Sequence, residues 1–474
     1  MTNFAREARI RLGRILLSLA LGTVTVGLVI AGGWLLDEHS ALAADPITVN
    51  STADDTLTNL AGNTTCDLRE AIVAANTDAQ VGQCNAGGGA AATINITSIG
   101  TVLLANNLPA ITDILTINGP GAASLTIDGA GSYRHFWIAP GTPAEIAGLT
   151  MANGYRYTAA ALFQPGGAVL NEGILTLDEV VIVDSSAAAA PGYGGYGGAV
   201  YSTGGLTITN SRIYSNTAHT RGGGIHAEFD NCAPPTSTLT IINSAIYSNT
   251  AVQDGGGIYV DSDSCWPMTT TLRLTGSTVN GNAAADGGGI YLYYASARLL
   301  NTTISGNHAN HNGGGIGTLA DWDQTVDLVS CTIYTNTADS NGGGMQLESL
   351  FTVNLKNTIV AGNGAGGIGP DIWGAIQSYD YNLVQDTSGA TIEGTTTHNV
   401  TGSNPMLGPL ANNGGRTWTH DLLTSSPAIN AGSCTDIAGI PITVDQRGFA
   451  RISPCDIGAY EDVVQTYLPV VMRN

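Results

Sequence analysis

The sequence predicts an all-β protein, a right-handed parallel β-helix (solenoid) with a short N-terminal capping helix. Three observations predict it: a glycine-rich repeat, two-residue alternation between the glycines, and a column of asparagines in step with the repeat. Five copies are clear: Ile213 to Asn216 then Gly222 to Ile225, Ile246 to Asn249 then Gly255 to Ile258, Val279 to Asn282 then Gly287 to Ile290, Ile304 to Asn307 then Gly313 to Ile316, and Ile333 to Asn336 then Gly342 to Met345. Degenerate copies flank them at Gly166 to Val169, Gly197 to Val200, and Ile359 with Asn363.

Each repeat reads as three short strands. Ile258-Tyr-Val260 and Leu239-Thr-Ile241 alternate apolar and polar residues, so one face of each strand is buried. Three strands without a helix between them exclude a βαβ sheet, whereas stacking repeats pairs every strand with its copy about 4.8 Å away. Stacked at that distance, Asn216, Asn249, Asn282, Asn307 and Asn336 form a structural ladder, because an amide both donates and accepts hydrogen bonds. The glycines permit positive φ and close backbone approach at a corner. No helix follows them, so they do not form a phosphate-binding loop.

A solenoid must close its ends, since open strand edges aggregate. Asp67-Leu-Arg-Glu70 reads as a capping box, with Leu68, Ala71, Ile72 and Ala75 at helical spacing. The predicted helix lies across the first rung.

The 474 residues are 43% hydrophobic, enough to build a core, although only 11% are charged. A net charge of −21 excludes nucleic acid as a partner. Arg6, Arg9, Arg11 and Arg14 precede an uncharged stretch from Ile15 to Leu36 and then Ala41-Leu-Ala43, the order of an export signal. It is read as cleaved near Ala43, with a retained membrane anchor as the alternative. Either places the rest outside the cytoplasm, extracellular or at the cell surface. Seven cysteines suit that compartment. The pairs expected from spacing are Cys66–Cys84, Cys232–Cys265 and Cys434–Cys455, with Cys331 a buried free thiol.

At three places the chain resembles known bacterial surface proteins. Cys66-Asp-Leu-Arg-Glu-Ala-Ile72 resembles the CSLREA N-terminal element, with Asp67 in place of the family's serine. The repeats resemble pectin-lyase-like β-helix proteins and chlamydial polymorphic outer-membrane protein repeats, with Ile or Val in place of the latter's Phe. Ser426 to Gly432, Asp445-Gln-Arg-Gly448 and Asp456 to Glu461 resemble the choice-of-anchor Q C-terminal domain. The resemblance implies secretion or surface display and names no activity. The expected division is 1–43 signal or anchor, 44–130 N-terminal cap and first rungs, 131–400 β-helix repeats, 401–461 choice-of-anchor-like cap, and 462–474 apolar tail.

Outward positions after the glycines are His226, Tyr259, Tyr291, Gly317 and Gln346, and two residues on stand Glu228, Asp261, Tyr293, Leu319 and Glu348. Tyr259, Tyr291, Tyr293 and Asp261 are candidates for carbohydrate contact, because tyrosines beside carboxylates stack on sugars and hold their hydroxyls. The reading preferred to that one is an ordinary solvated strand face with a tyrosine pair stacked across rungs. Asp254 and Asp286 fall in adjacent rungs, with Arg221 one rung earlier. They are read as solvated carboxylates at a mobile corner, with a structural calcium ion as the alternative and no other cofactor. Asp445, Arg447, Asp456 and Glu461 read as an ion network holding the C-terminal part together.

No catalytic residue is assigned. A polysaccharide lyase needs a positioned cationic base, and Lys356, the single lysine, lies rungs away from the acidic pair. The expectation is a non-catalytic extracellular β-helix for adhesion or cell-envelope structure. Surface glycans or other cell-surface proteins are its partners, with envelope attachment allowed. The alternatives are a polysaccharide lyase or glycoside hydrolase of pectin-lyase-like fold, and a carbohydrate-binding module.

Overall fold

A computed structural model describes residues 45–55, 64–89, 91–156, 163–188, 194–229, 238–262 and 272–462. The expected export segment, the apolar tail from residue 463, and Cys232 and Cys265 lie outside them.

The described residues form a parallel β-helix, and each central turn carries four strands rather than three. The first follows the glycines (Ile225–Glu228, Ile258–Asp261, Ile290–Tyr293, Ile316–Leu319). The second is Leu239–Ile242 and its copies, the third Ala245–Tyr247 and its copies. The fourth is the two-residue step Thr250–Ala251 and its copies. Every strand pairs in parallel with its equivalent one rung away, as in Ile258↔Ile290 and Leu239↔Leu272. The fourth strand escaped the alternation argument because two residues are too few to show a period.

Both corners of the third strand are built alike. A residue in the left-handed region kinks the chain, and the next residue turns a polar side chain inward. At the corner after the third strand, Ser248 (φ 54°) precedes Asn249; at the corner before it, Asn243 (φ 50°) precedes Ser244. The asparagines bond along the axis: Asn216 Nδ2 donates to Asn249 Oδ1 (2.9 Å), Asn249 to Asn282 (3.0 Å), Asn282 to Asn307 (2.9 Å) and Asn307 to Asn336 (2.8 Å). The series continues to Asn363 and ends on Asp371, which only accepts (2.9 Å). A second column follows Ser211, Ser244, Ser277, Thr302, Cys331 and Thr358. Here a backbone N–H donates to the hydroxyl one rung on, from Ser211 to Ser244 (3.0 Å), from Ser244 to Ser277 (3.2 Å) and from Cys331 to Thr358 (3.3 Å).

The apolar sides of the first three strands fill one continuous core from Ile47 to Val384, and the fourth-strand alanines Ala218, Ala251 and Ala284 form a small cluster of their own. Its N-terminal end is closed by helix α1, Leu68–Thr77, which buries Leu68, Ala71, Ile72, Ala74 and Ala75. The expected capping box is present: Glu70 N donates to Asp67 Oδ1 (2.9 Å), and Asp67 N donates to Glu70 Oε2 (3.3 Å). Cys66–Cys84 staples the helix, and Arg69 pairs with Asp54 (2.8 Å). No helix of the described residues is long and apolar enough to cross a membrane.

The C-terminal part departs from the expectation of a cap. Residues 402–462 fold back along the flank of the solenoid, against the corner between the second and third strands. Arg451 Nη2 donates to Asn301 Oδ1 (3.0 Å), Asn357 Nδ2 to the Asp456 carbonyl (2.9 Å), and Thr417 Oγ1 to the Gly276 carbonyl (2.9 Å). The physical reason lies in the last rungs. There the outward residues of the third strand turn apolar, and Ile359, Ala361 and Leu383 pack against Leu422, Ala428 and Ile457 in a second small core. Cys434–Cys455 lies within this segment.

Candidate functional site

The outward side of the first strand carries a column of rings. Register places Tyr201, His226, Tyr259 and Tyr291 on successive rungs. At strand spacing planar rings stack: Tyr259 and Tyr291 lie 5.7 Å apart and 5° from parallel, and His226 lies 4.7 Å from Tyr259. Tyr293, two residues beyond Tyr291, lies 6.4 Å from Tyr259. The Arg221 guanidinium sits over Tyr259 (5.1 Å) and Tyr293 (5.9 Å), a cation–π arrangement, and pairs with Asp254 (3.0 Å).

Carboxylates line the same column. Tyr201 Oη donates to Glu228, the His226 Nε2 lies 3.5 Å from Glu228, and Tyr259 Oη lies 3.4 Å from Asp261. Burial holds the His226 imidazole below its usual range, so it is neutral near pH 7. Burial also pushes the Asp254 carboxyl up, against the pull of Arg221, and pushes the Tyr259 and Tyr291 phenols up.

Of the residues singled out for carbohydrate contact, the structure brings Tyr259, Tyr291, Tyr293 and Asp261 together. The expected tyrosine pair does stack across rungs, but the expected solvated face is corrected: Tyr259 is 0%, His226 1% and Tyr291 9% exposed. An outward side chain is not an exposed one when the rungs above and below cover both faces of its ring. The half-open rim is Tyr293, Arg221, Asp254, Glu228 and Glu348.

Asp254 and Asp286 are neighbours across a single bridge, as the register implied. Their oxygens take protein partners. Asp254 has Arg221, and Asp286 accepts from Asn312 N (3.0 Å) and lies 3.3 Å from the exposed ring of His311. Among the described residues no three His, Cys, Asp or Glu groups converge as a metal site would need. The backbone of this corner is bonded from rung to rung, the Gly255 and Gly287 amides donating to the Asp286 and Asn312 carbonyls (3.0 Å each).

The cluster around Arg221, His226, Glu228 and Tyr201 was missed as a unit. Its signal was the offset of two between His226 and Glu228 and of one rung between each and Tyr201. Cys331 is free and buried, with its thiol pushed up to about 12 by burial. It occupies the serine and threonine column, a structural position. Arg447 pairs with Asp445 (2.7 Å) and Arg451 with Glu461 (3.1 Å), all nearly buried. Lys356 is occupied in the flank, donating to the Asp436 carbonyl (3.0 Å).

Residues 163–316 match the family model described as right handed beta helix region, and the chain is a right-handed parallel β-helix protein. Among solved structures, pectate lyase Pel9A is 14% identical, covering 88% of this chain and 97% of its own, with a TM-score of 0.43. The A-module of the Azotobacter vinelandii mannuronan C-5 epimerase AlgE6 is 15% identical, covering 74% of this chain and 96% of its own, with a TM-score of 0.32. The corresponding module of AlgE4 is 12% identical over 74% and 97%, also at 0.32. No curated protein matches the chain.

Proposed function

We propose that this protein is an exported β-helix that binds neutral glycans without cleaving them, at the half-open rim of the ring column, in adhesion or in building the cell exterior. The observation that carries the reading is the Arg221 guanidinium held over Tyr259 and Tyr293 and paired with Asp254, with Glu228 and Glu348 further along the same column. Such a rim offers an aromatic edge for the C–H face of a sugar and acceptors for its hydroxyls. The carboxylates outnumber the single guanidinium, which favours uncharged sugars over uronates. Two disulfides support an exterior location.

A second reading, acid–base catalysis, is favoured by one observation: Glu228 faces both the Tyr201 hydroxyl and His226. Against it, the imidazole is buried between rings, and a general base must reach the proton it removes.

The test is a glycan array probed with the full secreted chain, followed by Tyr293→Ala. Binding of neutral glycans weakened at least tenfold at an unchanged melting temperature supports the reading. Binding equal to wild type, or no neutral ligand at all, defeats it. Cleavage of any glycan, abolished by His226→Gln, would select the catalytic reading instead.

A further inference from the structure

The flank of the solenoid holds a cleft unrelated to the ring column. Its floor is the outward side of the third strand. Arg212, Ala245 and Thr278 are register partners there, and so are Tyr214, Tyr247 and Asn280 two residues on. Tyr214 and Tyr247 stack at 4.7 Å and 8°. The wall is the folded-back segment: Arg416 and Trp418, the latter 51% exposed. Ala245, small between Arg212 and Thr278, leaves the depth. The cavity measures about 220 Å³.

The wall is anchored. Thr417 Oγ1 donates to the Gly276 carbonyl (2.9 Å), Thr278 Oγ1 to the Trp418 carbonyl (2.7 Å), and Gln446 Nε2 to the same carbonyl (3.1 Å). The Trp418 ring therefore stands exposed on a backbone that is fixed, and no packing against the core accounts for it. The groove continues past Asn280 into a second cavity of about 420 Å³ between Ser305, Tyr334 and His420. From Tyr214 to Tyr334 it crosses five rungs, roughly 19 Å at about 4.8 Å per step.

Charge separates this cleft from the rest of the molecule. The chain carries 37 acidic and 16 basic residues, yet the lining of the smaller cavity holds two arginines and no carboxylate. Arg416 pairs with Glu179 (3.2 Å), but both side chains are 57% exposed, so water and salt screen that pair and an incoming anion competes for it.

We infer that this cleft is a second binding site, for a short oligosaccharide bearing carboxylate or sulfate groups. Tyr247 and Trp418 take the sugar faces, and Arg212 and Arg416 take the anionic groups. Guanidinium forks match either anion with paired hydrogen bonds. The protein's overall negative field repels long polyanions, which favours short or sparsely charged ligands.

The experiment titrates the full chain with galacturonate tetrasaccharide, a sulfated chondroitin tetrasaccharide and cellotetraose, following tryptophan fluorescence. At least one anionic ligand is expected to perturb the fluorescence saturably, while cellotetraose does not. The affinity should fall severalfold between 50 and 300 mM salt, and the response should vanish in Trp418→Phe. Arg212→Gln with Arg416→Gln should weaken binding at least tenfold with an unchanged melting temperature, and Tyr293→Ala should leave it alone. The two anionic arms decide between carboxylate and sulfate. Equal binding of cellotetraose, or an undiminished affinity in the double arginine variant, overturns the proposal. So does an absence of response to both anionic ligands. Loss of binding in Tyr293→Ala would move the ligand to the ring column and overturn it too.

Discussion

At the scale of single residues, the interior of this β-helix is held by polar side chains as much as by apolar ones. Asn282 shows why. Its Nδ2 donates to the Ile246 carbonyl and to Asn307 Oδ1, and its Oδ1 accepts from the Asn249 backbone and side chain. Asn282→Leu leaves Asn249 N without its side-chain acceptor in a dry core, at about 1–3 kcal/mol, and removes one hydrogen bond each from Asn249 Nδ2, Asn307 Oδ1 and the Ile246 carbonyl, at about 1 kcal/mol each. We expect a loss of at least about 3 kcal/mol in urea unfolding, and an unchanged midpoint would refute the ladder's structural role. His135 is a second case. Its Nε2 faces the Ile127 and Ala152 carbonyls (2.9 and 3.0 Å), and burial lowers its pKa from 6.5 to about 4. Between those values the unfolded chain binds a proton that the folded chain does not. Stability is therefore fully present above pH 6.5 and is lost as pH falls towards 4, by about 3 kcal/mol for this group. His226 shifts the same way. His135→Gln keeps a donor but cannot titrate, so its unfolding midpoint should fall less between pH 7 and 4.5. A pH profile parallel to wild type would show that His135 is not responsible.

Among the elements, the glycine corner is the one whose sequence admits least change. The first glycine of each triplet needs positive φ, as Gly255 does at 66°. The second needs room: a Cβ on Gly256 would lie 2.4 Å from the Gly288 carbonyl oxygen and 2.5 Å from that of Ala283. Neither oxygen can move without breaking a rung-to-rung hydrogen bond. Gly256→Ala is expected to cost several kcal/mol, at the high end for overpacked sites, whereas Ala285→Gly at the neighbouring loop should cost under about 1 kcal/mol. Equal melting temperatures for the two variants would contradict the close-approach argument.

On the largest scale, the described residues from 45 to 462 are a core running along one axis with a strap along its side. Solenoid stability is distributed between neighbours, but the strap crosses several rungs and couples them. Arg451 is its deepest anchor, with a side chain 0% exposed that meets Glu461 Oε2 (3.1 Å), Asn301 Oδ1 (3.0 Å) and the Gly458 carbonyl (2.6 Å). Arg451→Ala strands the Glu461 carboxylate in the interior, a loss of about 3–5 kcal/mol. Limited proteolysis should then cut within 402–462 while the repeats survive. Cleavage spread evenly over the chain would mean that strap and solenoid unfold as one.

The coil, the ladder and the capping helix were legible in the residues because each repeats or follows a local rule: two-residue alternation, one asparagine per rung, a capping box at Asp67. Local rules are short-range physics, and they act the same way in every rung. What the residues did not disclose was where a one-dimensional pattern meets itself across the fold. Alternation marked Tyr259 as outward, but only stacking on His226 and Tyr291 buried it. The charged motifs near residues 445–461 read as a network that holds the end, and that network exists. Its place along the flank was decided by apolar Ile359, Ala361 and Leu383 meeting Leu422 and Ile457. The cleft beneath Trp418 exists for the same reason, since its floor and its wall are roughly 130 to 200 residues apart in the chain and only tertiary contact brings them together.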